Sequence, residues 1–255
     1  MKKVVSTLIS LIGAVGLASA ADNVSYTASD APGNAPDGVD QSSNPVQVWQ
    51  QTQGTGGSGS GYGTWTLIPN YWQIYSYPDA NNVIGTITET HMFTGGALGV
   101  GQTVSLDFEM SATNPQTDVG VDLLNGSGAA VTFGIYGAEP DATNPWYTGS
   151  GYFYSDAGSG GDVNAGSMGY QYHSAFNISF TVTGANTYSA VAGTDSWNGT
   201  FSGSLLGIDV FNNAAGNGSD VAFNNLTVVP EPGTMAFVGI SLLMLFGFGR
   251  NRENN

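Results

Sequence analysis

Two neighbouring stretches decide the fold class: residues 104–110 (VSLDFEM) and residues 118–123 (DVGVDL). In both stretches, polar or small residues alternate with apolar residues at a period of two. Because successive side chains of a β-strand point to opposite faces, this alternation predicts strands that bury one face in a core. If the two strands form a hairpin, we expect Glu109 to lie near Asp118.

Further segments with strand character, among them residues 187–192, occupy much of residues 46–229, and Gly, Asn, Asp or Pro separates nearly all of them. The segment 156–169 is rich in Gly, Asp and Ser, and we expect it to form a long surface loop. No part of residues 21–229 has a sustained helical period, so we expect little helix. Many short strands with turn residues between them are typical of a sandwich or jelly roll. We predict an all-β fold, a single antiparallel β-sandwich of the jelly-roll type, that forms one domain over residues 21–229.

Charged residues are few and unevenly placed. The 255 residues include 4 Lys and Arg, 19 Asp and Glu, and no Cys. All four cations stand within a few residues of a terminus: Lys2, Lys3, Arg250 and Arg252. Residues 21–229 therefore hold 17 acids, since two of the 19 lie beyond them, and no Lys or Arg. This balance excludes phosphate recognition, so we expect no nucleic-acid partner and no binding to anionic lipid headgroups.

The N-terminus has the three parts of a secretory signal. A basic start precedes the apolar residues 4–17, and the small residues Ala18, Ser19 and Ala20 follow. The apolar stretch is shorter than the ~20 residues that span a bilayer. We expect residues 1–20 to be a signal peptide that signal peptidase removes before Ala21.

Residues 230–255 contain a proline motif, an apolar segment and a basic end. These parts are Pro230, Glu231 and Pro232, then residues 235–248, and finally Arg250 and Arg252. The two prolines deny the motif a helix and favour an extended chain. The positive-inside rule places the arginines in the cytoplasm and residues 21–229 outside it.

This tail resembles the PEP-CTERM sorting signal of exported proteins in biofilm-forming diderm bacteria. The resemblance implies recognition by a membrane-embedded exosortase and transient anchoring in the inner membrane by a transmembrane helix. It further implies removal of the tail and delivery to the envelope surface or the extracellular matrix. The basic end departs from the denser family pattern, because Asn251 separates the two arginines and Glu253 follows them.

The last strands of the body also carry a resemblance. Residues 206–213 (LGIDVFNN) and residues 217–228 (NGSDVAFNNLTV) are similar to the closing hairpin of concanavalin A-like carbohydrate-binding jelly rolls. That family often has Asp at the position of Asn224, so this chain lacks the carboxylate that would serve as a metal ligand there. The resemblance implies a sandwich that binds carbohydrate.

No catalytic motif is present in the sequence. It contains neither G-x-S-x-G nor H-E-x-x-H, and its only histidines are His91 and His173. The glycine-rich residues 54–59 match G-x-G-x-x-G, but an aromatic strand rather than a helix follows them. We therefore predict a protein that is not an enzyme and that requires no cofactor.

Paired acids are the strongest candidates for a site. Asp107 and Glu109 share one strand face, and Asp118 and Asp122 share the polar face of the next strand. No Lys or Arg is available to relieve their repulsion, which would destabilise a ladder. Three interpretations stay open: a solvated acidic face, a Ca²⁺ site with oxygen ligands, and a glycosidase pair. The Glu-x-Asp-x-x-Glu motif of concanavalin-like glucanases is absent, which counts against the third.

Tyrosines provide a second candidate. Tyr71, Tyr75 and Tyr77 alternate onto one strand face, opposite Trp72 and Ile74. Exposed tyrosines stack on sugar rings in many binding sites, whereas packing against neighbouring strands is their more frequent use in sheets. Both interpretations stay open.

The expected function is that of an exported surface or matrix protein with a structural or adhesive role. Weak binding of a glycan, such as the producer's own exopolysaccharide, is part of this expectation. The alternative is a polysaccharide-active enzyme of sandwich architecture, similar to glycoside hydrolases.

Overall fold

The computed structural model describes residues 23–24, 49–53, 61–63, 71–76, 85–112, 117–136, 152–166, 174–214 and 219–229. Within these ranges the chain forms β-strands and no helix, so the described part contains no helix able to cross a membrane. The predicted signal peptide, sorting signal and transmembrane helix all lie outside the described residues.

The strands are β1 (Asn23–Val24), β2 (Trp49–Gln53), β3 (Gly61–Gly63), β4 (Trp72–Ser76), β5 (Gly85–Met92), β6 (Thr103–Ala112), β7 (Thr117–Asn125), β8 (Gly128–Tyr136), β9 (Tyr152–Asp156), β10 (Val163–Asn164), β11 (Phe176–Gly184), β12 (Thr187–Ala192), β13 (Asp195–Thr200), β14 (Gly207–Ala214) and β15 (Ser219–Val229).

The strands form two antiparallel sheets that pack face to face. Sheet A has the order β13-β12-β11-β6-β15-β4-β3, and β1 pairs with the C-terminal part of β15. Sheet B has the order β10-β9-β8-β7-β14-β5-β2. Consecutive strands from β4 to β7 cross from one sheet to the other, as they do in a jelly roll. The predicted all-β, antiparallel sandwich is confirmed.

β6 and β7 bury the residues that the alternating pattern predicted. The buried side chains are Val104, Leu106 and Phe108 on β6, and Val119, Val121 and Leu123 on β7, all fully inaccessible to solvent. Each such side chain contributes about 1.5–3 kcal/mol through the removal of apolar surface from water. The alternation within each strand therefore decides which side chains enter the core between the sheets.

These two strands do not form the hairpin that would bring Glu109 near Asp118. β6 pairs with β11 and β15 in sheet A, whereas β7 pairs with β8 and β14 in sheet B. Both strands bury one apolar face, and these faces cover each other only when the strands belong to opposite sheets. Glu109 and Asp118 consequently belong to different sheets.

Two groups of aromatic rings pack in the core, one around Phe133 and one around Trp49. Phe133 stacks on Tyr152 and on Trp197, with ring centroids 5.5 Å apart in each pair. Trp49 of sheet B contacts Phe223 of sheet A, with centroids 5.2 Å apart. Tyr152 is buried and is therefore a packing residue.

Candidate functional site

The outer face of sheet A, the face turned away from sheet B, carries a cluster of polar side chains around Asp107. We name the four residues Asp107, Tyr71, Asn177 and Asn225 the Asp107 cluster. Asn177 lies opposite Asp107 on β11, and Asn225 follows its β15 partner Asn224. Three strands therefore contribute to one small surface, and Tyr71 immediately precedes β4.

The carboxylate of Asp107 accepts hydrogen bonds at both oxygens. Asn225 Nδ2 donates to Oδ2 at 2.6 Å, and Asn177 Nδ2 donates to Oδ1 at 3.0 Å. The Tyr71 hydroxyl is a third donor to this carboxylate. Burial, and then the charge of Asp107, raise the pKa of Tyr71, so the phenol keeps its proton. The amide and phenol donors thus stabilise the carboxylate of Asp107, which has no Lys or Arg partner because residues 21–229 contain neither.

A β-bulge brings Asn225 into this cluster. The register between β6 and β15 shifts between Asn224 and Thr227. Asn225 has φ 54°, a left-handed conformation that Asn tolerates better than most residues, and its N–H donates to Asn224 Oδ1 at 2.8 Å. Within the described ranges it is the one non-glycine residue with positive φ. Bulges of this kind re-aim side chains and are frequent beside binding sites.

The four acids that the sequence grouped as a Ca²⁺ site do not come together. Asp107 and Glu109 lie on β6 of sheet A, and Asp118 and Asp122 lie on β7 of sheet B. Glu109 is only 2% exposed. Among the described residues, no group of three or more His, Asp or Glu is placed to hold a metal ion.

Sheet B has a carboxylate pair on its own outer face. Asp209 on β14 lies directly opposite Asp122 on β7, and Thr90 on β5 flanks it on the other side. Thr132 Oγ1 donates to Asp122 Oδ1 at 2.5 Å. Burial raises the pKa of Asp209, although a hydrogen bond with Thr90 opposes the shift. The Oδ1 atom of Asp209 is buried and accepts no hydrogen bond within the described structure.

Sequence reasoning missed Asp209, Asn177 and Asn225. Asp209 does stand at a polar position of an alternating strand, IDVFNN, but only the strand order shows that Asp122 is its neighbour. Asn177 and Asn225 are 70 and 118 residues from Asp107 in the sequence, so no local pattern connects them.

The predicted tyrosine face is described in part. Trp72 and Ile74 are buried, as the alternation predicted, and Tyr71 is half-buried beside Asp107. Tyr75 pairs with Asp220 of β15 and with Gly61 of β3. Tyr77 lies outside the described residues, as do the predicted sorting residues and the signal cleavage site.

Comparison with known proteins finds similar folds only. No family model and no curated protein matches the chain. An alginate lyase from Corynebacterium sp. is similar at 13% identity and TM-score 0.46, over 71% of this chain and 93% of that chain. A glycosyl hydrolase family protein from Mycobacterium fortuitum is similar at 9% identity and TM-score 0.49, over 84% of this chain and 100% of that chain. At these sequence identities and TM-scores, structural similarity supports no conclusion about activity.

Proposed function

We propose that the chain is an exported surface or matrix protein, sorted by an exosortase, whose sandwich binds neutral glycans weakly through the Asp107 cluster. The observation that carries the binding proposal is the convergence of a carboxylate, two exposed amides and a phenol at a β-bulge. The N-terminal signal and the proline motif in the sequence support the export and sorting part.

The chemistry of the Asp107 cluster suits hydroxyl groups. Asn177 and Asn225 use their amide nitrogens on Asp107, which leaves their amide oxygens to accept hydrogen bonds from a ligand. Tyr71 adds a half-buried ring, and such rings pack against the apolar faces of sugars. Because residues 21–229 contain no Lys or Arg, an anionic glycan would meet repulsion without compensation.

We expect Asp107→Ala to weaken glycan binding by about tenfold, or about 1.4 kcal/mol. The substitution removes the group that orients Asn177, Asn225 and Tyr71, so the ligand must order these side chains itself. Affinity electrophoresis of the purified protein in gels containing the producer's neutral exopolysaccharide measures the change. Asn198→Ala, on the exposed edge strand of the same sheet, is the matched control and should bind as the parent does.

Equal retardation of the parent and of Asp107→Ala would contradict the proposed site. Absence of retardation of the parent by any neutral polysaccharide would contradict glycan binding altogether.

A polysaccharide-active enzyme is the second candidate, and the Asp122–Asp209 pair favours it. Glycosidases need one carboxyl group that holds its proton beside another that is ionised, and burial raises the pKa of Asp209. Release of reducing ends from the same polysaccharides, lost in Asp209→Asn but kept in Asp107→Ala, would replace the binding proposal by this one. For a binding protein we expect no such release.

We expect replacement of Pro230 and Pro232 by Ala to keep the full-length chain in the membrane fraction. An exosortase that reads the extended motif would no longer cleave it, whereas the parent chain would appear outside the cell without its tail. Immunoblotting of membrane and extracellular fractions from the producing bacterium measures the distribution. Thr234→Ala, in the same segment, is the control and should be released normally; release of the double proline variant at the parent level would contradict exosortase sorting.

A further inference from the structure

The outer face of sheet A continues beyond the Asp107 cluster as a row of hydroxyl side chains. We name this surface the hydroxyl track, and its half-buried residues are Thr103 and Ser105 on β6, Ser179 and Thr181 on β11, and Thr227 on β15. These side chains face away from sheet B, because the residues that alternate with them, such as Val104 and Phe180, are buried in the core. Thr103 lies four residues from Asp107 on β6, which is about 14 Å along an extended strand.

The pairing of three strands places the hydroxyl groups side by side. Thr103 lies opposite Thr181, and Ser105 lies opposite Ser179 on β11 and opposite Thr227 on β15. The Oγ1 atoms of Thr103 and Thr181 are 2.7 Å apart, and so are Ser105 Oγ and Thr227 Oγ1. Each pair therefore shares a hydrogen bond that fixes its side chains before any ligand arrives, which lowers the ordering cost of binding.

The β-bulge of β15 builds both the Asp107 cluster and the hydroxyl track. Asn224 pairs with Asp107, and the next pair is Thr227 with Ser105, so β15 advances three residues while β6 advances two. The extra residue places Asn225 against Asp107. In a regular ladder Leu226 would take the outward position opposite Ser105, because side chains alternate between faces. The cluster and the track are therefore one continuous polar surface.

The hydroxyl track carries no charge and has an exposed apolar side chain on each side. Val229 lies opposite Thr103 on β15, and Val191 of β12 lies opposite Ser179. Both valines are 46% exposed. Binding sites for small polar molecules combine apolar contacts with a few placed polar groups. Hydroxyl groups between two apolar edges thus match a sugar, which carries hydroxyl groups and C–H faces on one molecule.

The hydrogen-bonding capacity of the track favours a neutral ligand. A hydroxyl group has one donor hydrogen and two acceptor lone pairs. Two hydroxyl groups that share one hydrogen bond can still donate one hydrogen to a ligand and accept others from it. Sugar hydroxyl groups also donate and accept, whereas carboxylate and sulfate groups only accept and are bound best by cations. Residues 21–229 offer no Lys or Arg for that purpose.

We propose that the binding site extends from the Asp107 cluster along β6 over the hydroxyl track, and that its ligand is a linear neutral polysaccharide. This inference deepens the proposed glycan binding and rests on it. A disaccharide fills the cluster alone, whereas a longer chain also contacts the two hydroxyl pairs and the flanking valines. The track ends at β11, so Asn198 on β13 stays outside it.

A double variant, Thr103→Val with Thr181→Val, tests the extended site. Valine keeps the β-branched shape and the strand preference of threonine, but it removes both hydroxyl groups of one pair. Isothermal titration calorimetry of the full chain uses two probes, a disaccharide and fragments longer than the track, both prepared from the producer's neutral exopolysaccharide. We expect the double variant to bind the long fragments about tenfold more weakly than the parent does. Its affinity for the disaccharide should be unchanged, whereas Asp107→Ala should weaken the binding of both probes.

The matched control is Thr86→Val with Thr88→Val, which makes the same change on the outer face of sheet B. This control should bind both probes as the parent does. Equal affinity of the parent and of the Thr103 and Thr181 double variant for the long fragments overturns the extended site. Binding of the disaccharide by the parent would then leave the glycan proposal at the Asp107 cluster intact. Failure of the parent to bind either probe overturns both the glycan proposal and this inference.

Discussion

Asp156→Ala is expected to lower the free energy of unfolding by about 3 kcal/mol, because one carboxylate satisfies four donors. Its Oδ2 accepts hydrogen bonds from the Tyr188 hydroxyl at 2.8 Å and from Thr200 N at 3.1 Å. Its Oδ1 accepts from Gly158 N and Ser159 N, both at 2.8 Å. Urea unfolding followed by tryptophan fluorescence measures the change.

The size of the effect follows from where these donors lie. Asp156 ends β9 of sheet B, whereas Tyr188 and Thr200 belong to β12 and β13 of sheet A. The carboxylate therefore ties the two sheets together at one side of the sandwich. Burial, the largest cause, raises the pKa of Tyr188, which keeps the phenol a neutral donor. Trp197 Nε1 in turn donates to this hydroxyl at 3.2 Å, so the loss of Asp156 disturbs a chain of bonds.

Asp162→Ala is the matched control, since Asp162 is an exposed acid in the same connection. Its removal should change the free energy of unfolding by no more than about 0.5 kcal/mol. Similar small losses for both variants would show that water replaces the Asp156 bonds without cost and that the tie between the sheets is not stabilising.

Gly120→Ala is expected to destabilise the sandwich by about 3 kcal/mol or more, as overpacking against fixed backbone does. A Cβ at this position would overlap the carbonyl oxygen of Phe133 and lie 2.9 Å from Gly134 Cα. Gly120 pairs with Gly134 across β7 and β8, so these atoms cannot move without breaking the ladder. The new methyl would also meet Phe211 Cζ at 2.8 Å.

Gly126→Ala provides the control for this second substitution. Gly126 lies in the turn between β7 and β8, and a Cβ there would have no neighbour within 4 Å. Differential scanning calorimetry should show a melting temperature close to that of the parent for Gly126→Ala and a clearly lower one for Gly120→Ala. A melting temperature of Gly120→Ala equal to that of the parent would show that β7 and β8 approach each other less closely than they do in the structure.

Strand positions and buried faces could be predicted from the sequence to a large extent. The segment predicted over residues 187–192 is observed as β12, Thr187–Ala192. Val104, Leu106 and Phe108 are buried as their alternation required. These features depend on each strand's own pattern, because the pleat alone decides which side chains share a face. Residues 156–169 were expected to form a surface loop, yet Val163–Asn164 pair with β9.

The candidate site could be predicted only in part. Asp107 and Tyr71 were identified from polar positions on their strands, but the partners that satisfy Asp107 were not. The alternation of polar and apolar residues does not reveal the β-bulge after Asn224. This bulge places Asn225 against the carboxylate of Asp107. Glu109 and Asp118 were assigned to one surface because neighbours in sequence often pair, which fails in a jelly roll.

The sequence alone determined the fold class, the burial of strand faces and the absence of Lys and Arg from residues 21–229. These properties depend on composition and on the local period of two. The tertiary structure decided which strands pair, that Asp122 lies opposite Asp209, and that β1 pairs with β15. Many strands here have similar patterns, so pairing is selected by the mutual burial of apolar faces far apart in sequence. That selection is a property of the whole sandwich, and no single segment encodes it.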